Sequence, residues 1–306
     1  MLEPVKCLVE WKSYADLTDY DSIVEAERQV EGLVKLLRFD KKPATMDVLD
    51  CLGYFQYEDQ DRRLFGFISS FPPKSDSNRP PVSLYDLLID GAKKKRSYSL
   101  PSLPQRIRIA QRLAITLLEL HNAEWLHKDL NSRNVTFFYS SGTSLDLSTP
   151  YVSGFEYARP DDISAISFSV RSSSTDIYRH PSLLGPFHAG QKRPRYKRIH
   201  DIYSLGLLLL EIGLWKRVGD FRKPDTKPAD FGKTLKQLIS RELPHRVGDI
   251  YRDVVLRCIE GIDLYEADEP EGQAGPENSF EKEGRNVSLV KFYWSVIREL
   301  ERCHCK

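Results

Sequence analysis

One segment of the chain combines an acid and an amide at a spacing suited to phosphate chemistry. Asp129 and Asn134 stand five positions apart in the run His-Lys-Asp-Leu-Asn-Ser-Arg-Asn, which directly follows a predicted apolar helix. Phosphoryl-transfer loops use this spacing, because the carboxylate accepts the proton of the attacking hydroxyl and the amide oxygen binds magnesium against the phosphates. The pattern therefore predicts Asp129 as a catalytic base and Asn134 as a metal ligand.

A second segment lacks a charge that this chemistry needs. Phosphoryl-transfer sites of this kind carry Asp-Phe-Gly in the segment after the loop. This chain reads Val-Ser-Gly-Phe-Glu-Tyr from Val152, so Gly154 stands where the main magnesium carboxylate would be. In an extended segment Glu156 would share the face of Gly154 and could offer a displaced carboxylate. Loss of one preorganised charged group typically lowers the rate on the order of 10²- to 10³-fold, which predicts poor catalysis.

Length and composition indicate a globular chain without an evident nucleic-acid or membrane partner. The 306 residues are 41% hydrophobic, and 45 Lys and Arg against 44 Asp and Glu leave a formal charge of +1. Five cysteines, an odd number, are typical of a reducing compartment, and the first residues show no signal-peptide pattern. We expect a cytoplasmic protein. The longest apolar run, 202–215, is too short for a membrane span and predicts a buried helix.

The first seventy residues predict a small unit of sheet and helix. Residues 5–11 have the composition of a strand, and 21–38 place apolar side chains on one helical face, with Ser22 and Glu25 as a capping box. Two aromatic-rich runs joined by a charged turn predict a hairpin, and these runs are 46–57 and 63–71.

The rest of the chain predicts a mainly helical unit after a polar, proline-rich boundary at 69–81. Ser102 and Gln105 form the capping box of a long helix over 104–122. Two short strands on either side of a polar turn are predicted at 135–139 and 150–155, and further helices at 200–215, 231–243, 249–260 and 287–302. An acidic stretch with Gly and Pro, 266–284, predicts a disordered insert.

The order of these motifs resembles the eukaryotic protein kinase domain. Leu120-His121 followed by the Asp129 loop is similar to the kinase catalytic-loop run, Tyr178-Arg179-His180-Pro181 to Tyr-Arg-Ala-Pro, and Asp201-Ile202-Tyr203-Ser204 to Asp-Ile-Trp-Ser. The segments 152–161, 177–181 and 200–215 further resemble a fungal kinase-like group that is often joined to heterokaryon-incompatibility HeLo domains. The resemblance implies an α+β, two-lobed kinase-like fold with a truncated N-lobe sheet at 1–73, a hinge near 69–73 and a mainly helical C-lobe at 74–306.

The resemblance also implies roles for individual residues. Asp129 would be the base and Asn134 a magnesium ligand, while Asp201 would hold the catalytic-loop backbone by hydrogen bonds. His127 and Phe155 would stack in an apolar column between the lobes. Lys12, at the end of the first strand, would contact the α- and β-phosphates of ATP.

Departures from the kinase pattern favour a pseudokinase. Few residues precede Lys12, so no Gly-rich phosphate loop is expected, and Gln29 aligns with the glutamate partner of the lysine, although Glu27 or Glu31 could substitute. We therefore expect a signalling or scaffolding module with protein partners and weak or absent binding of ATP and magnesium. In that case Asp129 and Asn134 would be retained because their hydrogen bonds shape the loop. The position of Lys12 fits a solvent-exposed lysine at the end of a strand as well as it fits a phosphate ligand.

Two other functions stay open at this level. An active ATP-dependent protein kinase would use Asp129 and Asn134 and would need the missing strands from elsewhere. A small-molecule kinase of the aminoglycoside phosphotransferase type shares the catalytic loop, but the motifs at 178–181 and 201–206 favour a protein kinase.

Overall fold

A computed structural model describes residues 6–38, 40, 42–60, 62–93, 97–142, 144–162, 176–184, 194–222, 228–261 and 279–303. Over these residues the fold is mixed α+β, with small antiparallel sheets and a larger number of helices. None of the helices described in these ranges combines the length and the apolar character that a bilayer crossing needs.

The first sheet is antiparallel and has the strand order β1-β3-β2. Its strands are β1 (Cys7–Ser13), β2 (Cys51–Glu58) and β3 (Arg63–Ser70). Strand alternation sends Glu10 and Lys12 to the inner face and leaves Trp11 on the outer face. The predicted strand and hairpin are therefore confirmed, although 46–50 precede β2 rather than belonging to it.

Helix α1 (Tyr20–Leu37) packs against β2 through the apolar stripe that the sequence predicts. Its N-terminus is capped by Asp19, whose carboxylate accepts a hydrogen bond from the Ser22 amide at 2.8 Å. The predicted capping box of Ser22 and Glu25 is wrong by one turn, because Asp19 is an equally good capping residue and satisfies the first free amides.

The segment before β2 joins the first sheet to the helical part. The Asp47 carbonyl accepts from the Val152 amide at 2.8 Å, and Val48 forms a parallel bridge with Val152. The buried Asp47 carboxylate also forms an ion pair with Arg112. This connection holds the first sheet over the loops of the helical part.

The helical part is built around α3 (Leu103–Asn122) and the buried α4 (Arg198–Leu214), which pack against each other. The capping box of Ser102 and Gln105 is present as predicted. The other helices are α2 (Leu84–Gly91), α5 (Pro228–Glu242), α6 (Pro244–Val247), α7 (Asp249–Glu260), α8 (Ser279–Phe292) and α9 (Arg298–Glu301), with a π-helical turn at Tyr293–Ile297. The remaining strands are β4 (Val82–Ser83), β5 (Trp125–Leu126), β6 (Val135–Tyr139), β7 (Leu145–Val152) and β8 (Arg159–Pro160).

Two predicted boundaries change in this part. Strand β7 begins at Leu145 rather than at 150, so the polar turn after β6 is shorter than expected. Helix α8 begins at Ser279, which makes the last residues of the predicted insert helical, whereas 266–278 lie outside the described residues.

Candidate functional site

Asp129 and Asn134 meet Gly154 where the loop before β6 lies against the end of β7. The Asn134 amide nitrogen donates to the Asp129 backbone carbonyl at 2.8 Å and to its carboxylate at 3.0 Å. Burial raises the pKa of Asp129 to about 6, against the hydrogen bonds that it receives from Asn134 and Asn131. The two residues singled out by spacing are therefore in direct contact, and the carboxamide of one orients the carboxylate of the other.

Gly154 is required by this contact. Its φ of +83° lies in the left-handed region, and a Cβ added there would overlap the carboxamide of Asn134. An aspartate at this position would have to displace Asn134 from Asp129. The glycine is therefore needed for the packing of Asn134 against Asp129.

Substituting Gly154 by Ala or Asp should lower the free energy of unfolding by about 2 kcal/mol, from the left-handed backbone and the displaced hydrogen bonds. Urea denaturation measures this loss. Gly219→Ala is the control, because nothing lies within 4 Å of a Cβ added there, and it should change stability by less than about 0.5 kcal/mol. Equal stability of Gly154→Asp and the unmodified protein would contradict the proposed packing.

Asp201, on α4, holds the backbone of the loop that contains Asp129. Its buried carboxylate accepts from the backbone amides of His127 and Lys128, both at 2.9 Å, from the His121 ring at 3.1 Å and from the Tyr196 hydroxyl at 2.7 Å. Burial alone would raise the pKa of Asp201, but the hydrogen bond and charge of His121 bring it down to about 2. These are the backbone hydrogen bonds that the kinase resemblance implies for Asp201.

The rings of His127 and Phe155 lie against each other between the first sheet and the helical part. Their centroids are 5.0 Å apart and both side chains are buried. The His127 ring also contacts the Ser153 carbonyl at 3.0 Å, and burial lowers its pKa. A largely neutral imidazole in this position has a packing role.

Lys12 is placed differently from both sequence interpretations. Its side chain is only 1% exposed, so it is no solvated strand end. Its ammonium donates to the backbone carbonyls of Glu156 at 2.7 Å and Ala158 at 3.1 Å. Burial lowers the pKa of Lys12 to about 7, and the negative charge of Glu156 opposes this shift. The ammonium of Lys12, which the kinase resemblance places on the phosphates of ATP, is thus hydrogen-bonded to the protein's own backbone.

Glu10, which sequence analysis did not single out, holds the same segment one step earlier. Its carboxylate accepts from the backbone amides of Gly154 at 2.7 Å and Phe155 at 3.1 Å. Burial raises the pKa of Glu10, and these two hydrogen bonds oppose the shift. Alternation in β1 was the available signal, since Glu10 and Lys12 share the face that packs inward. We call the four hydrogen bonds of Glu10 and Lys12 to this segment the β1 clamp.

The two candidate glutamate partners of Lys12 on helix α1 contact a tyrosine of β2. Glu27 and Glu31 both accept from the Tyr54 hydroxyl on β2, at 3.2 and 3.4 Å. Gln29, aligned with the lysine's usual partner, is buried. Glu156 is the acid whose charge acts on the pKa of Lys12.

Glu156 does not serve as a displaced metal carboxylate in the expected way. Phe155–Tyr157 form a 3₁₀ turn, so the assumption of an extended segment that shares the face of Gly154 is wrong. Among the described residues, no group of three or more His, Cys, Asp or Glu side chains is arranged to hold a metal ion.

A buried polar network lies under the other end of the loop. The Tyr178 hydroxyl contacts the Ser132 hydroxyl at 2.7 Å and donates to the Glu211 carboxylate at 2.8 Å. The same carboxylate oxygen also accepts from the Val218 amide at 2.8 Å. The second carboxylate oxygen of Glu211 is buried without a hydrogen bond. Burial raises the pKa of Glu211 to about 7. This network fixes the segment at 176–184 to the loop and to α4.

The space between the first sheet and the end of β7, near the place where the kinase resemblance implies a nucleotide, is small. A cavity between the first sheet and the Val152–Phe155 segment has a volume of about 10 Å³, which is room for one water molecule, whereas small-ligand pockets are typically several hundred Å³. Its lining residues are Glu10, Leu37, Leu49, Phe67, Ser69, Val152 and Phe155. The ammonium of Lys12 is bonded to backbone, and Asn134 packs on Gly154.

Comparison with known proteins finds a family but no function. Residues 55–302 match the family model described as "Domain of unknown function (DUF7580)". No curated protein matches the chain. The match includes Asp129, Asn134, Gly154 and Asp201, and it begins after β1 and α1.

Proposed function

The chain belongs to the DUF7580 family, and we propose that it is a degenerate kinase-like module that acts through protein partners. In this proposal the two-lobed kinase architecture is retained, with 1–73 in the N-lobe and 74–306 as the C-lobe. Binding of ATP and magnesium is weak or absent. The module is a cytoplasmic signalling or scaffolding element, in keeping with free thiols at Cys7, Cys51, Cys258 and Cys303.

The β1 clamp is the observation that carries this proposal. A phosphate-binding lysine must present its ammonium to the ligand, yet Lys12 has two carbonyl acceptors in the protein. Breaking these bonds would leave the two buried carbonyls without the donor that Lys12 provides, at a cost of about 1–3 kcal/mol each. The clamp therefore favours the closed arrangement over one that admits a triphosphate.

The intact loop scaffold supports a structural role for the remaining kinase-like residues. Asp201 satisfies two loop amides, and Asn134 satisfies Asp129. These hydrogen bonds give both pattern residues a reason to be present without phosphotransfer. They also keep the outer surface of the loop in a fixed shape that a partner could recognise.

A thermal titration with ATP and magnesium tests the proposal. A ligand at 100 times its dissociation constant stabilises the folded state by about 2.7 kcal/mol, which would raise the melting temperature by roughly 5 °C in a chain of this size. We expect a rise below about 1 °C at millimolar ATP. Lys12→Met is the matched control, since a small rise that persists in this variant cannot come from a Lys12–phosphate contact.

An active protein kinase is the second candidate, and one observation favours it. Burial raises the pKa of Asp129 to about 6, which is close to the range suited to a general base. Transfer of labelled phosphate from ATP to a protein acceptor, abolished in Asp129→Asn, would replace the proposed function with this one. Incorporation that is equal in the two proteins would indicate a contaminating kinase.

A further inference from the structure

The outer face of the first sheet is a regular grid of three rows. Strand register places Trp11 and Phe55 on either side of Gly66 in the middle row. The flanking rows hold Val9, Ile68 and Gly53 on one side and Ser13, Leu64 and Tyr57 on the other. We call the six large apolar members of this grid the aromatic sheet face: Val9, Trp11, Phe55, Tyr57, Leu64 and Ile68.

The rings of this face form one cluster that remains accessible. Trp11 lies edge-to-face with Phe55 at a centroid distance of 5.4 Å and with Tyr57 at 6.1 Å. Gly66 permits this packing, because a Cβ there would lie 2.6 Å from the Phe55 ring and 3.0 Å from Trp11. Even so, Trp11 is 43% exposed, Phe55 37% and Tyr57 38%. The exposed rings therefore form one contiguous apolar patch, which makes this face a candidate interaction site.

The lack of charge disfavours polyanionic partners for this face. None of the nine grid positions carries a charged side chain. At the rim, Arg62 lies over the Tyr57 ring at 5.4 Å, but its guanidinium is paired with Asp59. Nucleic-acid binding depends on Lys and Arg contacts to phosphates, and the grid supplies none. An uncharged apolar ligand is the chemical complement.

The size of the face favours a short segment over a globular partner or a second copy of the chain. Three strands about 4.8 Å apart and about 23 Å long cover on the order of 300 Å². Stable interfaces bury about 800 Å² on each partner. The same length matches roughly seven residues of polyproline II helix at about 3.1 Å each, and short peptides of this conformation bind surfaces lined with Trp, Tyr and Phe.

We propose that the aromatic sheet face binds a short, uncharged, proline-rich peptide segment of a partner protein in the polyproline II conformation. The pyrrolidine rings would pack on the exposed faces of Trp11, Phe55 and Tyr57. The open space at Gly53, where no atom lies within 4 Å of an added Cβ, would accept a side chain at one end. This site is separate from the β1 clamp and does not depend on the kinase-like interpretation.

Fluorescence anisotropy with labelled nine-residue peptides tests the proposal on the full chain. The probes are nonaproline, a proline peptide with leucine at every third position, and the same leucine peptide with glycine in place of proline. We expect saturable binding of a proline peptide with a dissociation constant on the order of 100 μM, because the contact is small. The glycine peptide should bind at least about tenfold more weakly, since it is not preorganised.

Two variants and one control locate the site. Trp11→Ala and Val9→Lys should each weaken peptide binding at least about tenfold, and Val9→Lys removes no ring from the cluster. Trp294→Ala, at a 59% exposed tryptophan on the π-helical turn, should stay within about twofold. The proposal is overturned by the absence of saturable peptide binding up to about 2 mM, by equal binding in both sheet variants, or by Trp11-dependent binding of a uridine decamer in place of the peptides.

Discussion

Replacing Asp201 by alanine is expected to lower the free energy of unfolding by about 4 kcal/mol. The change leaves the His127 and Lys128 amides buried without their acceptor, at about 1–3 kcal/mol each, and it also removes the contacts with His121 and Tyr196. Urea denaturation at neutral pH measures the loss. Asp220→Ala is the matched control, because the ion pair of Asp220 with Arg217 is at the surface and should contribute less than about 1 kcal/mol.

The same carboxylate should make stability depend on pH at the acid end. The pKa of Asp201 is lowered to about 2 in the folded protein, so the unfolded chain binds the proton first as the pH falls. The stabilisation is therefore present above about pH 4 and is lost between about pH 4 and 2, amounting to roughly 2–3 kcal/mol. A variant Asp201→Ala whose stability equals that of the unmodified protein at pH 7 would rule out this anchoring role.

The buried Glu211 should act in the opposite direction. Its pKa is raised to about 7, so the folded protein holds a proton that the unfolded chain has released above about pH 4.5. Stability should therefore fall by about 3 kcal/mol as the pH rises from 4.5 through 7. In Glu211→Gln the amide oxygen can still accept from Tyr178 and Val218, and no ionisation occurs, so this decline should disappear.

Parallel urea titrations at pH 5 and pH 8 measure the effect of Glu211. Asp129 also titrates in this range with a raised pKa, so the difference between the Glu211→Gln variant and the unmodified protein isolates Glu211. We expect the variant to be the more stable protein at pH 8 by up to about 3 kcal/mol and nearly equal at pH 5. Parallel pH curves for the two proteins would show that Glu211 is ionised in both folded and unfolded states.

Elements with local signals were predictable from the sequence. Helix α3 carries its own start signal in Ser102 and Gln105, and both capping contacts are present. The apolar stripe predicts the position of α1, but Asp19 and Ser22 are both good capping residues and the pattern does not decide between them; the cap is Asp19. Local patterns thus place elements well and decide poorly between neighbouring polar residues.

Contacts between distant segments could not be predicted in the same way. The spacing of Asp129 and Asn134 identified the loop, yet spacing carries no information on the Gly154 conformation that Asn134 packs against. Glu10 was missed because a carboxylate in an edge strand has no motif. Its role depends on two amides that are brought to it by the fold of the whole chain.

The β1 clamp also has a consequence for how the molecule is made. Glu10 and Lys12 are separated from their partners by 144 residues or more. At synthesis rates of about 5–20 residues per second, the strand leaves the ribosome on the order of ten seconds before its partner exists. Helix α1 and strands β2 and β3 are made in this interval and can pack with β1, so the first sheet should become ordered before the loop segment that the clamp holds.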